Sequence, residues 1–224
     1  MKNGFAIAID GPVGVGKSTT AKMVAKELNM NYIDTGAMYR AVALYSLQRD
    51  TDLTNATELE ESLQNINIDI KHIDGEQRIY LNGKDVTDHI RTLKISNITS
   101  IVAGNEAVRA KLVAQQRNLA TGGNIVMDGR DIGSHVLPNA QLKIYLDASV
   151  QVRAQRRFDE LKRKGQGVDM NRLAEEIEAR DKRDKSRDIS PLVQAADAVY
   201  IDSSNMTQGE VVKKIMALYT ELRG

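Results

Sequence analysis

The chain has 224 residues, a net charge of +1, 42% hydrophobic residues and no cysteine. That length suits one α/β domain with insertions and would cramp two, and the apolar content supports a packed core rather than disorder. The near-zero charge sets up no overall field toward nucleic acid or anionic membrane, and the lack of cysteine excludes disulfides, thiolate ligands and cysteine nucleophiles.

The first apolar run, Phe5–Ile9, reads as a buried strand. It is too short for a signal peptide, and no stretch of the chain approaches the roughly 20 apolar residues of a membrane span. The expectation is a cytoplasmic protein with neither membrane nor nucleic acid as partner. Directly after the strand comes GPVGVGKST, formed by Gly11, Pro12, Val13, Gly14, Val15, Gly16, Lys17, Ser18 and Thr19. Its fixed positions match G-x-x-x-x-G-K-[ST], and the pattern from Ala21 to Leu28 reads as the helix that follows. Glycines let backbone N–H groups curl around phosphate oxygens at a helix N-terminus. Lys17 would reach the β- and γ-phosphates, and the Ser18 hydroxyl would ligate Mg²⁺. A nucleoside triphosphate, ATP, is the expected donor.

Further apolar runs at Tyr32–Ile33, Ile125–Met127, Leu142–Leu146 and Val199–Ile201 alternate with helical patterns, the signature of a parallel sheet with crossover helices. Three runs end in an acid, Asp34, Asp128 and Asp147, which places these acids at the carboxyl edge of the sheet near the phosphate loop. Thr35 and Gly36 open a helix carrying Tyr39 and Arg40. Thr57 and Glu60 have the spacing of a capping box. Between about residues 66 and 90, alternating Ile66, Ile68 and Ile70, then Asp74-Gly75 and Asn82-Gly83, predict a small antiparallel meander. A helical pair follows, with Ile95, Ile98 and Val102 on one face and Val108, Leu112 and Leu119 on another. The last segment, Gly209 to Leu222, places Val212, Ile215, Met216 and Tyr219 on a packing face.

Two more segments carry chemistry. In DGRDIG (Asp128–Gly133), Asp128 stands where an acid would help hold the metal, directly or through water, and Arg130 and Asp131 project from the strand end. From Arg153 to Arg187 basic residues outnumber acids. Arg153, Arg156 and Arg157 share one helical face, and Arg180, Arg183, Asp184 and Arg187 share another, with Gly165-Gln166-Gly167 breaking the helix between them. Three basic clusters beside a triphosphate site point to a phosphate acceptor. Two polyanions must approach to bonding distance, and planar, permanently charged guanidinium groups offset their repulsion. An ionised phosphate oxygen needs no strong base, and none is evident: His72 and His89 fall in or beside the meander, and His135 follows DGRDIG.

At these residues the sequence closely resembles the bacterial type of cytidylate kinase, a family of P-loop nucleoside monophosphate kinases. The resemblance runs through GPVGVGKST, DTGAMYR, the meander, DGRDIG and RDKRDKSRDISPL (Arg180–Leu192). It implies an α/β P-loop NTPase fold with a five-stranded parallel sheet flanked by helices, a small antiparallel β insertion and a helical lid. The expected divisions are a core of about residues 1–35, 121–150 and 189–224, a monophosphate-binding subdomain of about 36–120, and a lid of about 151–188. By resemblance, Ser100, Arg109 and Asp131 contact the cytosine, Arg180 and Asp184 the sugar, and Arg40, Arg130 and Arg187 the acceptor phosphate. Thr35 and Tyr39 belong to the same pocket, and Lys17, Arg130 and Arg187 would be catalytic. The implied reaction phosphorylates CMP and dCMP with MgATP, and the protein is expected to act as a monomer. Cytosine offers an N4 amino donor to Asp131 and ring acceptors to Arg109 or Ser100, whereas uracil O4 would leave the carboxylate unpaired.

Three other readings compete. Another small-molecule kinase (shikimate, adenylate or dephospho-coenzyme A) leaves the meander and DGRDIG unexplained. A GTPase-like switch needs an N-K-x-D motif, which is absent. A nucleic-acid module fits poorly with near-neutral charge and 4% aromatics.

Overall fold

A computed structural model describes residues 4–53, 55–163, 165, 167 and 169–224. The first half of the chain runs β1 (Ala6–Asp10), α1 (Lys17–Glu27), β2 (Asn31–Asp34), α2 (Thr35–Gln48), α3 (Ala56–Leu63), β3 (Ile68–Ile73), β4 (Glu76–Leu81), β5 (Lys84–Asp85), α4 (Leu93–Val102) and α5 (Glu106–Leu119). The second runs β6 (Ile125–Gly129), a π-helical turn (Ile132–Val136), β7 (Leu142–Asp147), α6 (Val150–Arg163), α7 (Met170–Lys185), β8 (Val199–Asp202) and α8 (Gln208–Arg223). Two compact units result. One comprises the described residues of Met1–Tyr32 with Ala120–Gly224, the other Ile33–Leu119.

The first unit is built on a parallel five-stranded sheet in the order β2-β6-β1-β7-β8. Its central strands are largely apolar and buried, Lys143 of β7 apart, because helices flank the sheet, which removes the alternation of a half-exposed strand. Ile7, Ile9, Val126, Ile144, Leu146 and Ile201 pack with Val24 of α1 and Val212 and Ile215 of α8. Phe5 meets the Tyr219 ring edge-on at 4.9 Å. The register sets Ile9 level with Asp128 and Asp10 level with Gly129, so the two acids lie one residue out of step near the ends of adjacent strands. A capping box between Thr207 and Glu210 fixes the start of α8.

The second unit has its own core, in which Met38 and Val42 of α2 meet Leu59, Ile79, Ile95, Val108 and Leu112. The meander forms as the sequence predicts, an antiparallel sheet β3-β4-β5. Both turns carry positive φ at two successive residues, Asp74 and Gly75, then Asn82 and Gly83, as a tight two-residue hairpin requires.

Three local expectations are corrected. Helix α1 begins at Lys17, not Ala21, because Gly16 turns the chain into the helix inside the motif itself. Helix α3 is capped by Asn55, whose side chain accepts from the N–H groups of Thr57 and Glu58, so Thr57 and Glu60 form no box there. Leu119, expected on a packing face, is exposed because it closes the last turn of α5. The Gly165-Gln166-Gly167 break lies between α6 and α7, with Gly165 at φ 72°, while Gln166 lies outside the described residues. Among the described residues no helix is long and apolar enough to cross a membrane.

Candidate active site

The phosphate loop links β1 to α1. Gly11 sits at φ 149°, and a Cβ there would lie 1.9 Å from the Leu146 carbonyl oxygen, so only glycine lets the loop leave the sheet at this point. Gly16 caps α1 without a side-chain bond, so no cap side chain covers the first amides of the helix. Lys17 is buried and donates to the Pro12 carbonyl at 2.7 Å. Burial, then the nearby Arg130 charge, holds its ammonium well below the usual lysine range despite Asp128, Asp10 and Asp184. Ser18 and Thr19 are exposed. The Ser18 hydroxyl donates to Asp128 Oδ2 at 2.9 Å, and the Tyr32 hydroxyl donates to Asp128 Oδ1 at 2.8 Å. A hydroxyl and a carboxylate thus stand together at the head of α1.

The DGRDIG segment supplies the second cluster. Arg130 Nε donates to Asp184 Oδ2 at 2.9 Å, and Arg187 donates to the other oxygen of the same carboxylate. Burial alone would raise Asp184, but Arg130, Arg187 and Arg180 together hold it down at about 2. Arg130 is half-buried; desolvation alone would lower it, and Asp184, with Asp181 and Asp128, outweighs that and keeps its charge secure. Three guanidinium groups therefore act on this one carboxylate, two of them bonding it directly. Asp131 is buried at the head of the π-helical turn and makes no capping bond to it. The turn is held instead by Asp10, which accepts from the N–H groups of Ile132 at 2.8 Å and Gly133 at 2.7 Å. Burial raises the Asp10 carboxyl to about 7, against the lowering effect of those two bonds.

The arginines of α6 have different partners. Arg153 is buried, pairs with Asp181 of α7 at 2.7 Å, and donates to the carbonyls of Ala148 and Val13. Arg156 donates to the carbonyls of Val15 and Ser203, and Arg157 pairs with Glu160. Arg153 and Arg156 thus grip phosphate-loop carbonyls rather than forming a free basic face.

In the second unit, Asp34 accepts from the Ala37 amide as the cap of α2 and pairs with Arg40 Nη2 at 2.7 Å. The Arg40 Nε is buried with no hydrogen-bond partner among the described residues. Arg109 lies over the Tyr39 ring at 5.6 Å and donates to the Ala103 carbonyl. Thr35 and Ser100 are buried, on α2 and α4. The unit thus brings Tyr39 together with Arg109, and Arg40 together with Asp34.

Of the three strand-ending acids, Asp128 alone bonds a residue of the phosphate motif among the contacts described, while Asp34 is a helix cap. Asp147 accepts from the Ala148 N–H, and its carbonyl accepts from the Ser203 N–H, so it closes a turn of the sheet edge. Asp10 and Asp202 end the first and last apolar runs in the same way. Asp34 also carried a signal, an Asp three residues before Ala37 at a helix start. Asp181, by contrast, looks like any acid of a charged helix, and nothing local marks its burial.

The sequence matches the family model described as Cytidylate kinase over residues 7–221. It is 48% identical over 221 residues to the cytidylate kinase of Bacillus cytotoxicus, covering 99% of this chain and 98% of that protein. It is also 48% identical over 216 residues to the cytidylate kinase of Bacillus subtilis strain 168, covering 96% of each. A solved structure of an uncharacterized protein from Eubacterium ventriosum shares the fold at 12% identity, with a TM-score of 0.51 over 96% of this chain and 97% of that one. With residues 7–221 matched by the family model and near-half identity to named members over their whole length, the chain belongs to the cytidylate kinase family.

Proposed function

We propose that the chain transfers the γ-phosphoryl group of ATP to an α-phosphate oxygen of CMP or dCMP, giving ADP and CDP or dCDP. The observation that carries this reading is the end-to-end match to cytidylate kinases, and the Arg130–Asp184–Arg187 cluster agrees with a phosphate acceptor. The attacking oxygen is already ionised near neutral pH. It bonds to the γ-phosphorus as the bond to the β,γ-bridging oxygen breaks, and that oxygen leaves on ADP. No base has to take a proton before attack, so positioning and charge stabilisation carry the rate.

The residue assignments are carried over from the resemblance to the family. The loop Gly11–Thr19 cradles the ATP phosphates, and Lys17 exchanges the Pro12 carbonyl for a phosphate oxygen. In the first unit, Arg130 and Arg187 take the acceptor phosphate, Arg180 and Asp184 the sugar, and Asp131 the cytosine N4 amino group. In the second unit, Arg40 is assigned to phosphate, Ser100 and Arg109 to the base, and Thr35 and Tyr39 to the same acceptor. We assign residues of about 1–35, 121–150 and 189–224 to the core, 36–120 to monophosphate binding, and 151–188 to a lid that excludes water.

Ser18 and Asp128 would hold Mg²⁺. A hydroxyl and one carboxylate fit an ion that keeps several waters and the substrate's phosphates, and no group of three or more acidic or histidine ligands occurs among the described residues. When bound with ATP, Mg²⁺ neutralises charge developing on the phosphates.

The test is an acceptor panel of CMP, dCMP, UMP, AMP and shikimate with MgATP, following ADP release. Preference for CMP and dCMP is expected. Shikimate or AMP as the best acceptor would overturn the reading.

A further inference from the structure

Two carbonyls at the end of the phosphate loop, those of Val15 and Gly16, are held by side chains from far along the chain within the same unit. Arg156 of α6 donates through Nη1 to the Val15 carbonyl at 3.1 Å and through Nη2 to the Ser203 carbonyl at 2.7 Å, which ties the loop to the β8–α8 connection. Gln208, the first residue of α8, does the same for Gly16. Its Nε2 donates to the Gly16 carbonyl at 3.4 Å and to the Thr20 hydroxyl. That hydroxyl donates in turn to the Gly16 carbonyl at 3.0 Å, so Gln208 acts on the carbonyl both directly and through Thr20. The Thr20 N–H adds the ordinary first helical bond, also at 3.0 Å. Thr20 is fully buried, and a Cβ on Gly16 would lie 3.2 Å from Gln208 Oε1, so the Gln208 amide packs over the turn into α1.

A trans peptide is one rigid plane, and its C=O and N–H point in opposite directions. A donor that fixes the Val15 carbonyl therefore fixes the Gly16 N–H, and one that fixes the Gly16 carbonyl fixes the Lys17 N–H. In loops of the G-x-x-x-x-G-K-[ST] type, backbone amides such as these cradle phosphate oxygens. We propose that Gln208 is a positioning residue for the donor phosphates. It sets the plane of the Gly16–Lys17 peptide, as Arg156 sets that of Val15–Gly16, and holds the Lys17 amide aimed away from α8 before ATP arrives. Amides already aligned need no reorganisation when the anion binds, and the saving appears as affinity. A simple tether between α8 and α1 would need only the Thr20 hydroxyl, whereas the bond to the Gly16 carbonyl reaches the loop itself. Gln208 does not touch the substrate and acts through the peptide it orients.

The inference rests on the reading of Gly11–Thr19 as the ATP site, and the experiment separates the two. Gln208→Met keeps the length and bulk of the side chain and removes its donors. Steady-state kcat, KM for ATP and KM for CMP are measured for wild type, Gln208→Met and Lys17→Ala, with calorimetric Kd for MgADP and the melting temperature. Gln208→Met should weaken MgADP binding and raise KM for ATP by roughly three- to tenfold, the worth of one ordinary hydrogen bond, with KM for CMP unchanged. Wild-type MgADP affinity and KM for ATP in Gln208→Met, with or without a lower melting temperature, overturn the role of Gln208 and leave the donor reading standing. Equal rises in KM for ATP and for CMP overturn it too, since a general loosening of the fold would produce them. Near-normal turnover in Lys17→Ala overturns the donor reading itself. Gln208→Leu is judged by the same measurements should the Met variant not fold.

Discussion

The arginines of α6 and the arginines around Asp184 look alike in sequence and have opposite partners in the fold. Arg153 and Arg156 spend their donors largely on fixed carbonyls, two of them in the phosphate loop, and Arg153 adds the buried pair with Asp181. Arg130 and Arg187 converge on one carboxylate, with Arg180 acting on it as well. A carbonyl fully uses a donor and adds no net charge. The other three guanidinium groups gather instead around a single carboxylate at one point of the fold. The first arrangement builds a frame around the donor loop, and the second is suited to receive a dianion. Sequence composition cannot separate the two, because helical periodicity reports a shared face and not what that face meets.

Lys17 is the sharpest challenge to this division, being bound to a carbonyl like the α6 arginines yet assigned to the chemistry. Lys17→Ala should cost on the order of 10³ in kcat while leaving the melting temperature near wild type. Near-normal turnover would move Lys17 into the frame. Arg153→Ala should do the reverse and mainly destabilise the protein, by roughly 3 kcal/mol in urea unfolding, since it strands the buried Asp181 carboxylate. An unchanged unfolding midpoint would show that the Arg153–Asp181 pair carries no stability.

The charge cluster has its own signature in pH. Asp184 is held at about 2 in the folded chain against an ordinary 3.8. Its contribution is therefore complete above about pH 4 and is lost as pH falls through 2. The unfolded chain takes up the proton first, so stability must fall with acid across that window, by about 2 kcal/mol. Asp184→Asn should flatten this part of the stability curve, and an equally steep curve in the variant would remove Asp184 as its source.

Much of the fold was legible because it depends on local patterns. Apolar runs between helical periods predict the parallel sheet, and Asp74-Gly75 and Asn82-Gly83 predict a meander with the observed turns. The phosphate motif was legible for the same reason, since its glycines answer to backbone geometry within a few residues. What remained hidden depends on strand register and on contacts distant in sequence. Asp10 meets the amides of Ile132 and Gly133, more than a hundred residues on, only because β1 pairs in parallel with β6. Arg153 and Asp181 find each other through the packing of α6 on α7, and nothing in either segment alone announces the pair. Asn55 outcompeted the Thr57–Glu60 box because the helix starts one residue after it, a boundary that capping signals alone leave ambiguous.

The division between frame and acceptor cluster is tested most directly by calorimetric titration of CMP into Arg187→Ala and Arg153→Ala. Arg187→Ala should bind CMP roughly tenfold or more weakly than wild type, having lost a charge-assisted phosphate contact, while Arg153→Ala stays within a few-fold of it. Wild-type CMP affinity in Arg187→Ala would contradict the account.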